Sequence, residues 1–350
     1  MPNGFGRTMS WAGWFSPAEP GAASTRGGIG LYLGVHDPLS RLKMLPVAPD
    51  PQGGETANLR AVHVPENFFD ATTDSFTIPY QVVVAAVRGG WWEASQIYKE
   101  WALAEAVWTR KGNLSTRAAN GDMPAWLLRA PLWLKLDGND PKSEETFAIV
   151  DGFRELLGGD GSAVTDIGLH WYHWNNEAFD TEYPVYTARA GFGEAVARLQ
   201  TPHAGITTRV VPYTNGRLWD TLGPLKTVPN EALCKSRNGS AYSETYGSAA
   251  NFKIMDPASE FMQDRWSTAL ANISTRYGTS GMYSDQISCA NSQACYNDNA
   301  TRASSWAAGT QAMLAEMVAK MGPEKVLISE SIDQTMLGEL HAFLSIYVKW

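Results

Sequence analysis

Hydrophobic positions change their spacing twice along the chain, and each change marks a different kind of element. In Gly30–His36, GLYLGVH, Leu31, Leu33 and Val35 alternate with Tyr32 and Gly34, the period of two that predicts a half-buried strand. Gln81–Val87, QVVVAAV, is a continuous apolar run of strand length. With the loop sequence Pro46–Gly54 between them, residues 1–90 predict part of an antiparallel β-sandwich. A glycine pair then interrupts the sheet and the spacing turns helical, with Ala94, Ile97, Tyr98, Trp101 and Ala102 predicting a helix over Trp91–Trp108. Polar, glycine-containing sequence follows over Thr109–Met123, so residues 91–124 are expected to form a linker helix and loop.

Over residues 125–350 strand and helix patterns alternate regularly. Leu132–Leu136 predicts a strand ending on Asp137, and Ser143–Leu157 a helix opened by the capping sequence Ser143, Glu144, Glu145, Thr146. Strands are expected at Ile167–Trp174, at a run through Val210–Tyr213 reaching Asn215, at Met282–Asp285, at Val326–Glu330 and at Phe343–Val348. Helices are expected near Gly191–Leu199, over Pro257–Tyr277 and over Ala303–Lys320. Steady alternation requires a parallel sheet with right-handed crossovers. The turn after the first strand, LDGND over Leu136–Asp140, lacks the glycine-rich phosphate loop of a dinucleotide-binding sheet. The pattern therefore predicts an α/β fold, a (β/α)8 TIM-type barrel truncated to about six units. The chain closes on Ile346, Tyr347 and Val348, in what reads as the middle of an element, so a fragment is expected.

A barrel of this kind displays its chemistry at the carboxyl ends of its strands. Those ends offer Asp137, Trp171, His173, Trp174, Asn175, Asn215, Asp285 and Glu330, an acidic, polar and aromatic set suited to a neutral polyhydroxylated ligand. Asp285 and Glu330 close two consecutive strands, and paired carboxylates are what glycoside hydrolysis uses, one protonated and one ionised. Asp137, His173, Trp174 and Asn215 are the candidate substrate contacts. Along the second strand Trp171 and His173 share one face and His170, Tyr172 and Trp174 the other. Trp174, last before the polar loop, is expected to form a wall of the sugar site, with Trp171 turned toward the helices. His170 and His173 face opposite sides, so with Asp180 they do not predict a metal site, and no cofactor is expected.

Composition narrows the partners. A net charge of -8 and the absence of a basic stripe exclude nucleic acid, and no apolar run approaches the roughly 18 residues of a membrane span. Fourteen tryptophans and thirteen tyrosines suit a sugar cleft as well as a core. The first ten residues show no signal peptide pattern, and sequons begin at Asn113, Asn238, Asn272 and Asn299, so localisation stays open. Of Cys234, Cys289 and Cys295, the last two are either a loop staple just beyond Asp285 or a pair of reduced thiols.

Gly27–Lys43, GGIGLYLGVHDPLSRLK, resembles the sandwich signature of a glycosidase-like family catalogued as domain of unknown function 6259. Gly90–Trp108 is similar to its linker helix, His170–Tyr183 and Pro212–Asp220 to its second and third strand loops, and Gly281–Ile287 and Leu327–Glu330 to its acid-bearing strands. The resemblance implies a β-sandwich packed on a (β/α)8 barrel, similar to endo-α-N-acetylgalactosaminidases and more distantly to α-galactosidases. It further implies a retaining hydrolase of α-linked sugars in an oligosaccharide or glycoconjugate, with Asp285 as nucleophile and Glu330 as acid/base. The alternative is a non-catalytic carbohydrate-binding or degenerate barrel, since most of the sandwich and the last barrel strands are missing from the pattern.

Overall fold

The computed structural model describes residues 9–16, 28–49, 57–65, 75–159, 161–246, 250–296 and 305–344. Three long strands, β1 (Trp11–Phe15), β2 (Ile29–His36) and β3 (Gln81–Arg88), form an antiparallel sheet with β2 in the centre. Two short hairpins accompany it, Lys43–Met44 with Val62–His63 and Val47–Pro49 with Ala57–Leu59. The expected Pro46–Gly54 loop thus begins as strand, and residues 50–54 lie outside the described residues.

Helix α1 (Trp91–Glu105) packs the face carrying Ala94, Tyr98, Trp101 and Ala102 against Tyr32 and Val87 of the sheet, making a small aromatic core. It stops at Ala106, one residue before a 3-10 turn at Val107–Thr109, so Trp108 belongs to that turn and not to the helix. The short helix Leu114–Ala119 is capped by Asn113, whose side chain accepts from the Thr116 amide at 2.9 Å.

The larger core belongs to a six-stranded parallel sheet whose strands are neighbours in chain order: β4 (Trp133–Leu136), β5 (Asp166–Trp171), β6 (Thr207–Asn215), β7 (Gly281–Asp285), β8 (Val326–Glu330) and β9 (Ala342–Leu344). Helices α2 (Glu144–Leu157), α3 (Phe192–Gln200), α4 (Glu260–Tyr277) and α5 (Trp306–Met321) lie between them in sequence. Ser143 caps α2 as its sequence requires, accepting from the Thr146 amide at 3.2 Å. The sixth strand begins one residue before the expected Phe343, and residues 345–348 lie outside the described residues.

The sheet is curled into a half-barrel. On a flat sheet, strands two apart stand roughly 9–10 Å from each other. The ring of His170 on β5 nevertheless lies 4.2 Å from that of Tyr283 on β7, across the intervening β6. On the outer side α3 and α4 cover the sheet through Phe192, Val196, Trp266 and Leu270. Glycine serves this packing at Gly168, where any Cβ would stand 2.2 Å from the Trp133 ring of the adjacent strand.

Between β6 and α4 the chain makes a long excursion containing a second antiparallel sheet, Leu218–Asp220, Phe252–Ile254 and Ser243–Glu244. A disulfide joins Cys234 in this excursion to Cys295 in the loop after β7. The expected staple between Cys289 and Cys295 is therefore corrected, and of the alternative pair of reduced thiols only Cys289 is one. Tyr296 donates its amide to the Lys235 carbonyl at 2.9 Å, which brings Cys295 beside Cys234, whereas Cys289 remains free and turns toward β8.

Candidate active site

Parallel pairing fixes which residues meet on the inner face. Gly281, Met282 and Tyr283 pair with Val326, Leu327 and Ile328, a constant offset that carries forward to Asp285 and Glu330. Tyr213 and Asn215 of β6 pair with Tyr283 and Asp285. Strand side chains alternate, so Tyr213, Tyr283, Asp285 and Glu330 share the inner face with Lys135 and His170.

Asp285 is gripped by two phenols. Tyr283, two residues back on the same strand, donates to Oδ1 at 2.8 Å, and Tyr213 of β6 donates to Oδ2 at 3.1 Å. The Tyr213 hydroxyl also lies 3.1 Å from that of Tyr183, which donates to Asp180 Oδ1 at 3.1 Å. Burial, then the charge of Glu330, push the Asp285 carboxyl up to about 7, while the two phenol hydrogen bonds act in the opposite direction. Glu330 is nearly buried, and its Oε2 accepts from the Cys289 thiol at 2.9 Å. Burial, then Glu330, raise that thiol well above its ordinary range, so it is protonated at neutral pH and acts as a donor.

Each acid is followed by a residue in left-handed backbone, Gln286 at φ 66° and Ser331 at φ 56°. Non-glycine residues seldom occupy this region, and their concentration beside two carboxylates marks a site where side-chain placement is favoured over backbone ease. Ser288 ties the two turns together, its hydroxyl donating to the carbonyls of Glu330 at 2.5 Å and Ser331 at 3.0 Å. Gly216 lets β6 end close to them, because a Cβ there would stand 2.2 Å from Ile287.

The remaining candidate contacts separate. Asp137 lies at the open edge of the inner face, largely exposed and paired with Lys135 at 3.0 Å. The Lys135 ammonium stands 4.7 Å from the Tyr172 ring centroid, and burial, then the charges of Asp285, Glu330 and Asp137, raise the Tyr172 phenol. His173 is half-buried at the rim, its ring 5.5 Å from Phe179. Asn215 stands in register with Asp285 but is buried, its amide taken up by the turn that follows. Its Oδ1 accepts from the amides of Arg217 and Leu218, and its Nδ2 donates to Gln286 at 3.2 Å, so the side chain shapes the turn after β6.

Trp174 is not a wall of the site. It is fully buried, 4.9 Å from Phe192 and 6.2 Å from Tyr277 on the helical layer, with its Nε1 donating to the Tyr213 carbonyl at 2.7 Å. The alternation used to place it ends with the strand at Trp171, three residues earlier. Trp171 does turn toward the helices, its ring 5.3 Å from Phe192. Among the described residues no cluster of His, Cys, Asp and Glu has the form of a metal site, and no helix is long and apolar enough to cross a membrane.

The sequence reading passed over Tyr213, Tyr283 and Phe179, and weighed Asp180 only as a metal ligand. Tyr283 was within reach, since stepping back two residues from Asp285 stays on one face. Tyr213 needed the register between β6 and β7, and the loop residues needed the loop's own conformation.

Comparison with known proteins follows the same lines. The profile of a family described as "Domain of unknown function (DUF6259)" matches residues 76–350. A protein of Monosiga brevicollis named "Putative glycoside hydrolase 22789" is 28% identical over 380 residues, covering 97% of this chain and 30% of the relative. A second, of Bacteroides thetaiotaomicron, named "Putative glycoside hydrolase", is 33% identical over 250 residues, covering 69% of this chain and 34% of the relative. The chain thus spans about a third of the length of these curated relatives. Among solved structures, the GalNAc complex of the α-N-acetylgalactosaminidase NagBb from Bifidobacterium bifidum superposes with a TM-score of 0.67 at 11% identity, over 98% of this chain and 54% of that one. A GH36 α-galactosidase AgaA variant from Geobacillus stearothermophilus gives a TM-score of 0.57 at 13% identity, over 97% and 44%. At such identities these two establish a shared fold.

Proposed function

The chain belongs to the DUF6259 family, and from that membership, together with two carboxylates in register at the ends of adjacent strands, we propose that it is the catalytic region of a retaining glycoside hydrolase acting on α-linked sugars. In this reading the half-barrel is part of a (β/α)8 barrel over residues 125–350, the antiparallel sheet of residues 1–90 is part of a β-sandwich, and residues 91–124 link them. The names of the solved relatives favour the α-linkage and a galactose-type sugar within an oligosaccharide or glycoconjugate.

The observation that carries the reading is the shared register of Asp285 and Glu330. Retention goes with carboxyl groups ~5–5.5 Å apart and inversion with ~6.5–9.5 Å, and the retaining reading is taken from the family resemblance. Asp285 attacks the anomeric carbon while the bond to the leaving oxygen breaks and Glu330 delivers a proton to that oxygen. Water then attacks the covalent glycosyl-enzyme, giving its proton to Glu330 and freeing Asp285. Tyr213 and Tyr283 stabilise the departing carboxylate, and the Cys289 thiol orients Glu330.

One observation favours an exchange of the two roles: the carboxyl pushed up to about 7 is that of Asp285, which suits a proton donor. Trapping with an activated fluorosugar decides between them, because the label stays on the nucleophile. A labelled peptide containing Asp285 supports the first assignment, and one containing Glu330 the exchange. Asp285→Asn should abolish turnover of aryl α-glycosides while the chain remains folded; a folded variant with near-native rate would remove Asp285 from the chemistry. Sugar binding by the wild-type chain without any turnover would favour a carbohydrate-binding barrel.

A further inference from the structure

We propose that Phe179 is the sugar-stacking platform of the site, presenting its ring to the apolar face of a pyranose; this rests on the glycosidase reading above. Phe179 lies in the loop after β5 and is 44% exposed, although its inner side is in full aromatic company. Its ring centroid is 5.1 Å from Tyr213, 5.5 Å from His173 and 5.9 Å from Tyr172. Tyr213 in turn donates to Asp285, so a single phenol separates the exposed ring from the carboxylate.

The loop holds the ring in place from both sides. On one side Glu177 accepts from the Asn175 amide group and from the Thr187 backbone, each at 2.9 Å. Immediately after Phe179, Asp180 takes left-handed backbone at φ 56° and accepts from Tyr183 at 3.1 Å. Thr181 closes the turn by donating to the Ala178 carbonyl at 2.6 Å. An apolar ring kept partly in water by a braced loop forgoes the stabilisation that full burial would bring. It also loses little entropy when a ligand covers it, which is what preorganised binding requires. A pyranose carries C–H groups on one face and hydroxyls around its edge. The ring's negative face meets the former, and Asp180, Asp285 and Glu330 can accept from the latter.

The test compares Phe179→Ala, Phe179→Leu and Phe179→Trp in the 350-residue chain. Kinetics on aryl α-glycosides are read together with calorimetric titration of free galactose and N-acetylgalactosamine. Ala and Leu are expected to raise KM and weaken sugar binding by roughly five- to tenfold, raising KM more than they lower kcat, while Trp retains both. Leu preserves apolar packing without a flat face, so its parallel loss separates stacking from loop support, and thermal melts check that all three fold. Unchanged KM and unchanged sugar affinity in Phe179→Ala would overturn the proposal. If the wild-type chain turns over no glycoside, the catalytic reading fails and the titrations alone decide Phe179; wild-type binding to neither sugar would overturn the platform as well.

Discussion

Tyr283 hydrogen-bonds the carboxylate two residues ahead of it on its own strand, Asp285, at 2.8 Å, and so acts on the site from within the same element. Together with Tyr213 it holds down a carboxyl that burial and Glu330 push up to about 7. Removing either phenol leaves those upward influences less opposed. In Tyr283→Phe and Tyr213→Phe the ionisation near pH 7 in the kcat/KM profile is expected to move to higher pH. With Asp285 as nucleophile it forms the acid limb, and activity at pH 6 falls more than at pH 8. A profile that drops uniformly without moving would show that the phenols only pack.

The same carboxyl makes stability depend on pH. Its folded value lies above the unfolded value near 4, so the folded state binds more protons between these values and the stabilisation present at low pH is lost as pH rises toward 7. Asp285→Asn cannot ionise and escapes this loss. The variant is expected to exceed the wild type in stability by on the order of 2–4 kcal/mol at pH 8, with the gap closing near pH 4. Denaturant melts at both pH values measure it, and a gap that does not change with pH would refute it.

Cys289 supplies the donor to Glu330, and that contact can be removed without touching either acid. Cys289→Val is expected to lower kcat/KM by about three- to tenfold, in line with the loss of one hydrogen bond to the carboxyl, while Cys289→Ser keeps a donor and most of the activity. Equal activity of the Val and Ser variants would leave the thiol no part in orienting Glu330.

Trp174→Ala is expected to cost about 3–5 kcal/mol of stability, the usual loss for a buried tryptophan, because the side chain lies between sheet and helices. Sugar affinity of the folded fraction should not change. A stable variant with weakened sugar binding would return Trp174 to the cleft.

What could be read from the chain follows the reach of periodicity. The strands ending on Asp285 and Glu330 were legible because parallel strands buried on both faces are short apolar runs, and an acid at their end stands out. Trp174 was misplaced because alternation was extended three residues past the end of β5. Asn215 sits on the predicted strand, yet its amide is drawn into the turn by the Arg217 and Leu218 amides, a local competition that residue spacing does not record. The cysteine pairing failed for a related reason. Nearness in sequence suggested Cys289 with Cys295, whereas the excursion after β6 folds back and places Cys234 there instead.

The bridge between Cys234 and Cys295 closes a covalent ring around β7, so the strand that bears Asp285 lies inside it together with α4 and the free Cys289. A protease that cuts the exposed turn at Asn238 and Gly239 would therefore release nothing. The nicked chain would migrate as one species without reductant and divide into two only after the bridge is reduced, which makes limited digestion a direct readout of whether the ring has formed.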